Sequence, residues 1–243
     1  MISHEIIGTP RQGGILLIGD HASNHVPCDI DLGIDPALLT QHIAWDLGVA
    51  GVAKRLVAGG HVDAAILGAV SRLVCDLNRD ADAPATIPLA SDGHAISGNA
   101  MDHAGRQARI ERFHTPYHDA ISAVIDATSP IMLLSLHSFT PQLAEDSRPR
   151  PWDMGILYNA DDRLARHAIP LLSGHGLTVG DQLPYSGKLL NYTMNRHAEA
   201  RGIAYLGIEM RQDHVMDAAG QARFSDIIGH ILTSCRNMLA LNV

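Results

Sequence analysis

The sequence predicts an α/β domain with a mixed, mostly parallel sheet and helices on both faces. Short apolar runs, bounded by glycine, proline and polar residues, alternate with longer segments whose apolar residues recur every three or four positions. This alternation is typical of strands joined by helical crossovers. A hydrophobic content of 46% and a mean hydropathy of +0.04 indicate a globular chain that buries a core.

Seven apolar runs are interpreted as strands. They span residues 14–19, 63–67, 71–77, 131–136, 154–158, 176–180 and 203–209. Because only three residues separate 63–67 from 71–77, we expect these two strands to pair as a hairpin. An antiparallel hairpin among crossover-linked strands makes the predicted sheet mixed.

Three segments have the apolar periodicity of helices, namely 46–58, 105–127 and about 220–240. Two long segments between the predicted elements, 80–104 and 140–153, are rich in proline, glycine or polar residues instead. Loops of this length in a compact domain usually cover a binding site, so we expect these two to do the same.

Length, charge and cysteine content exclude several classes of protein. The 243 residues favour one domain spanning 1–243, and the net charge of -8, with no basic run, argues against a nucleic-acid partner. No apolar run reaches the length of a membrane span, and the three cysteines form no CxxC pair. We therefore expect a cytoplasmic protein without a membrane partner, and the oligomeric state stays open.

The common catalytic signatures are absent from the chain. It contains no GxSxG nucleophile elbow, no Walker loop, no GxGxxG motif and no HExxH motif. A serine hydrolase of the elbow type, a nucleotide-dependent enzyme and a thermolysin-like protease are therefore unsupported.

Ionisable side chains follow three of the predicted strands. His21 comes just after the strand 14–19, His137 comes directly after 131–136, and Glu209 ends the run 203–209. The carboxyl ends of parallel strands meet at one edge of a sheet, where ligands and catalytic groups lie. Two histidines and a carboxylate at that edge predict a shared metal or acid–base site, with Glu209 as the general base.

A catalytic zinc site needs three nitrogen or oxygen ligands and an open position for water, which requires a third ligand here. Asn24 lies three residues after His21, at the spacing of a second ligand, but a neutral amide binds zinc poorly. Asp46 is chemically better, although an aspartate there also suits the N-cap of the helix 46–58. We favour Asp46 narrowly, together with His21 and His137.

Arginine residues near the predicted site can bind a substrate carboxylate. Asn78 and Arg79 follow the predicted strand 71–77, and a guanidinium group binds carboxylates through two parallel hydrogen bonds. Arg72 and Arg211 are further candidates for this substrate-binding role. The alternative is that these arginines pair with acidic neighbours such as Asp76, and the sequence favours neither interpretation.

Several ordered motifs resemble the N-formylglutamate amidohydrolases, which are relatives of the zinc carboxypeptidases and the aspartoacylases. The motifs that carry the resemblance are Asp20–Asn24 with Val26–Pro27, His42–Gly48, Ser71–Arg79, Leu136–Pro141, Arg148–Gly155, Pro184–Gly187 and Ile208–Asp213. Residues 134–139 look like the strand that carries the last zinc-binding histidine of the carboxypeptidases, here His137. Residues 209–213 look like the strand end that carries their catalytic glutamate, and 76–79 matches the substrate-carboxylate motif of the aspartoacylases.

The resemblance implies a phosphorylase/hydrolase-like fold and a metal-assisted amidase, with zinc as the expected divalent metal. The implied substrate is a small molecule, an N-acylated acidic amino acid such as N-formyl-L-glutamate, whose cleavage releases formate and glutamate in histidine degradation. Asn24 stands where the zinc carboxypeptidases have a ligand glutamate. The alternatives are a hydrolase of another acyl-amino acid or of a peptide C-terminal bond, and an inactive member that only binds a carboxylate ligand.

Overall fold

A computed structural model describes residues 2–146 and 148–241 of the chain. Within these ranges the main sheet has seven strands in the order β1-β3-β2-β6-β9-β7-β8, and β4 and β5 form a separate small hairpin. The strands are β1 (His4–Gly8), β2 (Ile15–Gly19), β3 (Ala64–Gly68), β4 (Ala90–Ser91), β5 (His94–Ala95), β6 (Met132–Phe139), β7 (Met154–Leu157), β8 (Val179–Asp181) and β9 (Ala204–Arg211).

The sheet is mixed and mostly parallel, as predicted. The strands β3, β2, β6 and β9 run parallel in that order, and β7 and β8 are parallel to each other. Among the described strands of this sheet, only the β1–β3 and β7–β9 pairs are antiparallel. The central strands β2 and β6 are buried along their whole length, which explains why they are near-continuous apolar runs in the sequence.

The helices of the described chain are α1 (Val49–Ala58), α2 (His103–Arg109), α3 (Thr115–Thr128), α4 (Arg163–Gly174), α5 (Tyr192–His197) and α6 (Ala218–Leu241). The predicted helix at 105–127 is a continuous helical segment in which a π-helical turn, Ile110–His114, joins α2 to α3. The wide turn comes just before Pro116, which cannot make the usual helical hydrogen bond to the preceding turn.

The helices cover both faces of the sheet, as predicted. Gly19 ends β2, and a Cβ atom on it would lie 3.3 Å from Val49 of α1. The next side chain, Asp20, bonds to Tyr117 of α3 and Thr193 of α5. Because successive side chains of an extended chain point in opposite directions, α1 covers one face while α3 and α5 cover the other. The helix α6 packs against α1, and α4 packs against α6.

The predicted strand at 71–77 and its hairpin with 63–67 are wrong. Residues 71–77 form buried turns, in which the Ser71 hydroxyl donates to the Ala44 carbonyl and the Val74 amide donates to the Ser71 carbonyl. The physical reason is that β3 has no free edge, because β1 and β2 occupy both of its sides.

The antiparallel neighbour of β3 is β1, which the sequence pattern did not reveal. His4 pairs with Gly68 and Gly8 pairs with Ala64 in this register. β1 is a short edge strand with polar first residues, and Ile6 within it is 42% exposed. An edge strand of this kind lacks the long apolar run by which the central strands are recognised.

The two long segments predicted as loops contact each other in the structure. Residues 80–104 contain the β4–β5 hairpin, and the carboxylate of Asp92 in its turn accepts hydrogen bonds from the amides of Ala144 and Glu145.

Among the described helices, none combines the length and apolar character needed to cross a bilayer.

Two stacked histidines lie in the core between α3 and α5. His118 and His197 are 0% and 1% exposed, and their rings stack with centroids 5.1 Å apart. Burial lowers the pKa of His118 to about 2 and that of His197 to about 4. Both side chains are therefore neutral in the folded protein at neutral pH.

Acidification from about pH 7 to about pH 5 is expected to lower the free energy of unfolding. Below the ordinary histidine pKa of 6.5 the unfolded chain binds protons that the folded pair excludes, so stability present above 6.5 is lost as the pH falls. Each histidine contributes a slope of about 1 kcal/mol per pH unit in this window. Urea unfolding at several pH values should show a flatter slope for His118→Gln, whereas His167→Gln on α4 serves as the matched control. Identical slopes in all three proteins would contradict this expectation.

Candidate active site

Three of the predicted metal-binding side chains converge at the carboxyl ends of the central parallel strands. His21 lies two residues past β2, and His137 lies within the neighbouring strand β6. Asp46 is brought beside them because its backbone amide donates to the His21 carbonyl at 2.9 Å. A helix begins three residues later, but its N-cap is Gly48, so Asp46 is free of the capping role considered from the sequence.

The Asp46 carboxylate lies between the two imidazole rings. Its Oδ2 atom is 2.8 Å from His137 Nδ1 and 3.5 Å from His21 Nδ1. One ligand atom from each of the three residues lies within 4.8 Å of the others, and all three side chains are buried. The group therefore offers two imidazole nitrogens and one carboxylate oxygen to a common point.

The outer nitrogen of each histidine faces a second carboxylate. His21 Nε2 is 2.7 Å from Asp76 Oδ1, and His137 Nε2 is 3.1 Å from Asp20 Oδ2. Because a carboxylate accepts, each Nε2 carries a proton, and Nδ1 is the nitrogen of each ring that faces Asp46 and could bind a metal. Carboxylates in this outer position orient histidine ligands and make them more basic in metal sites.

Without a cation, a proton must lie between the inward-facing atoms. Burial lowers the pKa of His137, but its bonds to Asp20 and Asp46 outweigh burial and raise that pKa well above its ordinary value. Burial conversely raises the pKa of Asp20, yet the bonds to His137 and to Tyr117 bring it down to about 2. The site thus holds a positive charge between carboxylates, and a metal ion can replace the Nδ1 proton that supplies it.

The residues present fit a divalent metal such as zinc. His21 Nδ1 is buried and has no hydrogen-bond partner among the described residues, as expected of a nitrogen that binds a metal in the loaded protein. Two imidazoles and one carboxylate are also a common ligand set of catalytic zinc sites. Asn24 does not line the cavity beside this group, and its Nδ2 donates to the Leu39 carbonyl at 2.9 Å. Asp46 is therefore the candidate third ligand.

Glu209 lies beside this group on the neighbouring strand. It is the register partner of His137 in the parallel β6–β9 pair, so both side chains leave the sheet on the same face. It is 9% exposed and lines the same cavity. Burial, assisted by the charge of Asp46, raises the pKa of Glu209 to about 7 against the opposing effect of His137. A carboxylate with this pKa can both accept and return a proton near neutral pH.

A small cavity of about 140 Å³ opens above the metal-binding group. Its walls include the three candidate ligands, Glu209 and the side chains of two arginines. The lining residues are His21, His42, Asp46, Arg72, Asn78, Arg79, His137, Ser138, Phe139, Thr140, Tyr185, Leu190 and Glu209.

The two arginines in the cavity have different surroundings. Arg72 is paired with carboxylates that support the metal-binding group, at 3.3 Å from Asp46 and 2.9 Å from Asp76. Arg79 lies 4.0 Å from Asp76, and its Nη1 donates to the Asn78 carbonyl at 2.8 Å. Of these two, Arg79 is the guanidinium with more donor capacity left for a substrate carboxylate.

Asn78 also lines the cavity, with its amide held in one orientation. The Thr193 backbone amide donates to Asn78 Oδ1 at 3.0 Å, so the Nδ2 group is the end that remains available as a donor. Arg211, by contrast, is not among the lining residues. Its guanidinium bonds to Asp213 and His214 and lies 3.7 Å from Asp153, so the structure does not bring it to the site.

The sequence interpretation did not single out Asp20 and Asp76 as partners of the two histidines, or Tyr185 as a cavity residue. Arg150 donates to the Tyr185 hydroxyl at 2.8 Å and lies against its ring. The signal for Asp20 was its position directly before His21. Tyr185 comes from a loop between β8 and α5, and only its place in one of the ordered motifs pointed to it.

The sequence model of the N-formylglutamate amidohydrolase family matches residues 13–216, which include every residue of this site. The chain belongs to that family. Membership makes the protein a hydrolase that acts on an amide bond, and it places the metal-binding group, Glu209 and Arg79 within the matched region. Among curated proteins, none matches the chain significantly.

Solved structures share the fold of this N-formylglutamate amidohydrolase family member. A gene product of Agrobacterium tumefaciens is 29% identical with a TM-score of 0.91, over 98% of this chain and 96% of that one. The N-formylglutamate amidohydrolase of Ralstonia eutropha is 18% identical with a TM-score of 0.75, and both chains are covered completely. A bacteriophage poly-gamma-glutamate hydrolase is 10% identical with a TM-score of 0.50, over 98% and 91% of the two chains, and shows the fold alone.

Proposed function

We propose that this amidohydrolase depends on zinc and cleaves the N-acyl amide bond of an acidic amino acid, with N-formyl-L-glutamate as the reference substrate. The observation that carries the proposal is the convergence of His21, Asp46 and His137 beside Glu209, in a cavity that also contains Arg79. The first four residues supply the metal ligands and the general base that hydrolysis of an amide needs, and Arg79 can bind a substrate carboxylate.

His21, Asp46 and His137 would hold the metal. When bound, a divalent ion at these ligands supplies Lewis-acid activation of a water molecule and of the substrate carbonyl. Glu209, buried beside them, accepts the proton of that water as its oxygen adds to the carbonyl carbon. Glu209 then delivers the proton to the amide nitrogen as the carbon–nitrogen bond breaks, which releases the carboxylic acid and the free amino acid.

Arg79 and Asn78 bind the carboxylate of the substrate. The guanidinium of Arg79 offers two parallel donors to a carboxylate, and the Nδ2 group of Asn78 offers another from the same segment. Arg72 keeps Asp46 and Asp76 ionised and in place, which supports the ligand geometry.

The small cavity supports a small-molecule substrate. Its volume of about 140 Å³ is suited to a short acyl group and one amino acid, not to a folded protein or a nucleic acid. Membership of the family supports a role in the cytoplasm, in the deformylation step of histidine degradation.

Turnover of a substrate panel tests the proposed function. We expect the zinc-loaded protein to hydrolyse N-formyl-L-glutamate with a higher kcat/KM than N-acetyl-L-aspartate or a peptide with a C-terminal glutamate. A preference for either of the other compounds would assign a different acyl group or leaving group to the same site. Binding of L-glutamate without turnover of any compound would contradict the proposal and identify a carboxylate-binding protein.

A further inference from the structure

The segment 76–79 connects the two halves of the site. Asp76 bonds to His21 and to Arg72 next to the metal-binding group, whereas Asn78 and Arg79 line the cavity two and three residues later. A shift of this short segment would therefore move the substrate-binding side chains relative to the metal-binding group.

The backbone of this segment has little support from regular structure. Residues 77–79 belong to no helix or strand and lie in a turn. The Asn78 amide instead donates to the Asp76 side chain at 3.0 Å. Side chains from other elements contact the carbonyl groups of Leu77 and Arg79.

Two buried histidines hold these carbonyl groups. His114, the last residue of the π-helical turn, has its Nε2 2.9 Å from the Arg79 carbonyl. His118, one turn later on α3, has its Nε2 3.0 Å from the Leu77 carbonyl. Because a carbonyl oxygen only accepts, both Nε2 atoms carry protons and donate. Burial lowers the pKa of His114 as well, which favours the same neutral form.

A third histidine fixes the orientation of His118. His197 Nε2 on α5 is 2.9 Å from His118 Nδ1, which must accept because the proton of the neutral His118 is on Nε2. The same helix donates the Thr193 amide to Asn78. Three donors thus hold the segment: His118 of α3 at the Leu77 carbonyl, Thr193 of α5 at the Asn78 side chain, and His114 of the turn before α3 at the Arg79 carbonyl.

We propose that His114 is a positioning residue that orients Arg79 for the substrate carboxylate, with the His118–His197 pair holding Leu77 in the same way. His114 donates to the carbonyl of Arg79 itself, and the Arg79 guanidinium bonds to the preceding carbonyl of Asn78. The position of the guanidinium therefore depends on the backbone that His114 holds. The inference rests on the proposed function for the identity of the carboxylate that Arg79 binds.

Equilibrium binding of L-glutamate to the zinc-loaded protein, measured by calorimetry, tests this role apart from turnover. We expect His114→Phe to weaken binding about 10-fold, the effect of losing one hydrogen bond that orients a charged group. His114→Gln keeps a donor near the position of Nε2, so its dissociation constant should stay within about 2-fold of the wild type. In Arg79→Ala, the additional change His114→Phe should weaken binding no further, because coupled residues are not additive.

His167→Phe is the matched control, because His167 bonds to Ser234 between α4 and α6, away from the site. It should leave glutamate binding unchanged. If His114→Phe does not fold, His114→Asn replaces it, since the shorter amide does not reach the Arg79 carbonyl. Zinc content and melting temperature are measured on every variant, so that a general loss of structure is recognised.

Three outcomes would overturn the inference. They are a lower melting temperature of the His114 variant with unchanged glutamate binding, an effect that adds fully to that of Arg79→Ala, and a wild-type protein that does not bind L-glutamate. Failure of the proposed function is a different result, in which the wild type binds L-glutamate but hydrolyses no N-acyl amino acid. In that case the positioning role of His114 stands.

Discussion

Glu209→Gln is expected to lower kcat on N-formyl-L-glutamate by about 10²- to 10⁴-fold, the usual contribution of a general base, and to leave zinc content unchanged. The amide of the introduced glutamine cannot accept a proton from water. Because Glu209 lines the cavity beside His137 but is not one of the three convergent ligands, the substitution should leave the metal in place. The amide has nearly the shape of the carboxylate, so the cavity should keep its form. Steady-state kinetics together with metal analysis measure both parts of this result.

Glu5→Gln, on the exposed edge strand β1, is the matched control and should have wild-type kinetics. A Glu209→Gln protein that retained most of its turnover would remove Glu209 from the mechanism. A variant that lost its zinc would instead make Glu209 a ligand, which would contradict the role proposed here.

Asp46→Asn is expected to abolish stoichiometric zinc binding and to lower turnover by about 10³-fold or more, as loss of a metal and its activated water implies. The carboxylate oxygen of Asp46 faces the Nδ1 atoms of both His21 and His137, and an amide is a poor substitute for it. Zinc content of protein purified without an affinity tag, measured beside kcat, checks this expectation. Circular dichroism should show a folded protein.

Asn24→Ala is the control for the third ligand. Asn24 stands at the position suggested by its spacing from His21, but its amide is used by the Leu39 carbonyl. The Asn24→Ala protein should therefore keep its zinc. If that variant lost zinc while Asp46→Asn kept it, the assignment of the third ligand would be reversed.

The site was more predictable from the sequence than the surrounding loops, because the direction of a strand determines at which edge of the sheet its last residues lie. An ionisable residue next to a buried run in a parallel sheet must emerge at one edge, so His21, His137 and Glu209 could be placed together without coordinates. Asp46 lies outside any strand. Its approach depends on a loop hydrogen bond to His21, so chemistry alone favoured it over Asn24.

The differences between the sequence interpretation and the structure have equally local causes. The alternation of polar and apolar residues at 71–77 suits a strand with one wet face, but no sheet edge is available for it, and the chain forms buried turns instead. Arg211 follows Glu209 by two residues on β9, yet acidic neighbours bind it outside the cavity. Sequence spacing does not reveal which of several nearby carboxylates an arginine meets, and this also explains why Asp76 was overlooked as the partner of His21.

The most direct test of the central claim is turnover of N-formyl-L-glutamate before chelation, after removal of the metal, and after addition of zinc. The arrangement of His21, Asp46 and His137 predicts that the chelated protein loses its activity and that one equivalent of zinc restores it. Glu209→Gln, treated in parallel, should bind the same equivalent of zinc without regaining turnover. Activity that persists in fully chelated protein would contradict the metal-assisted mechanism.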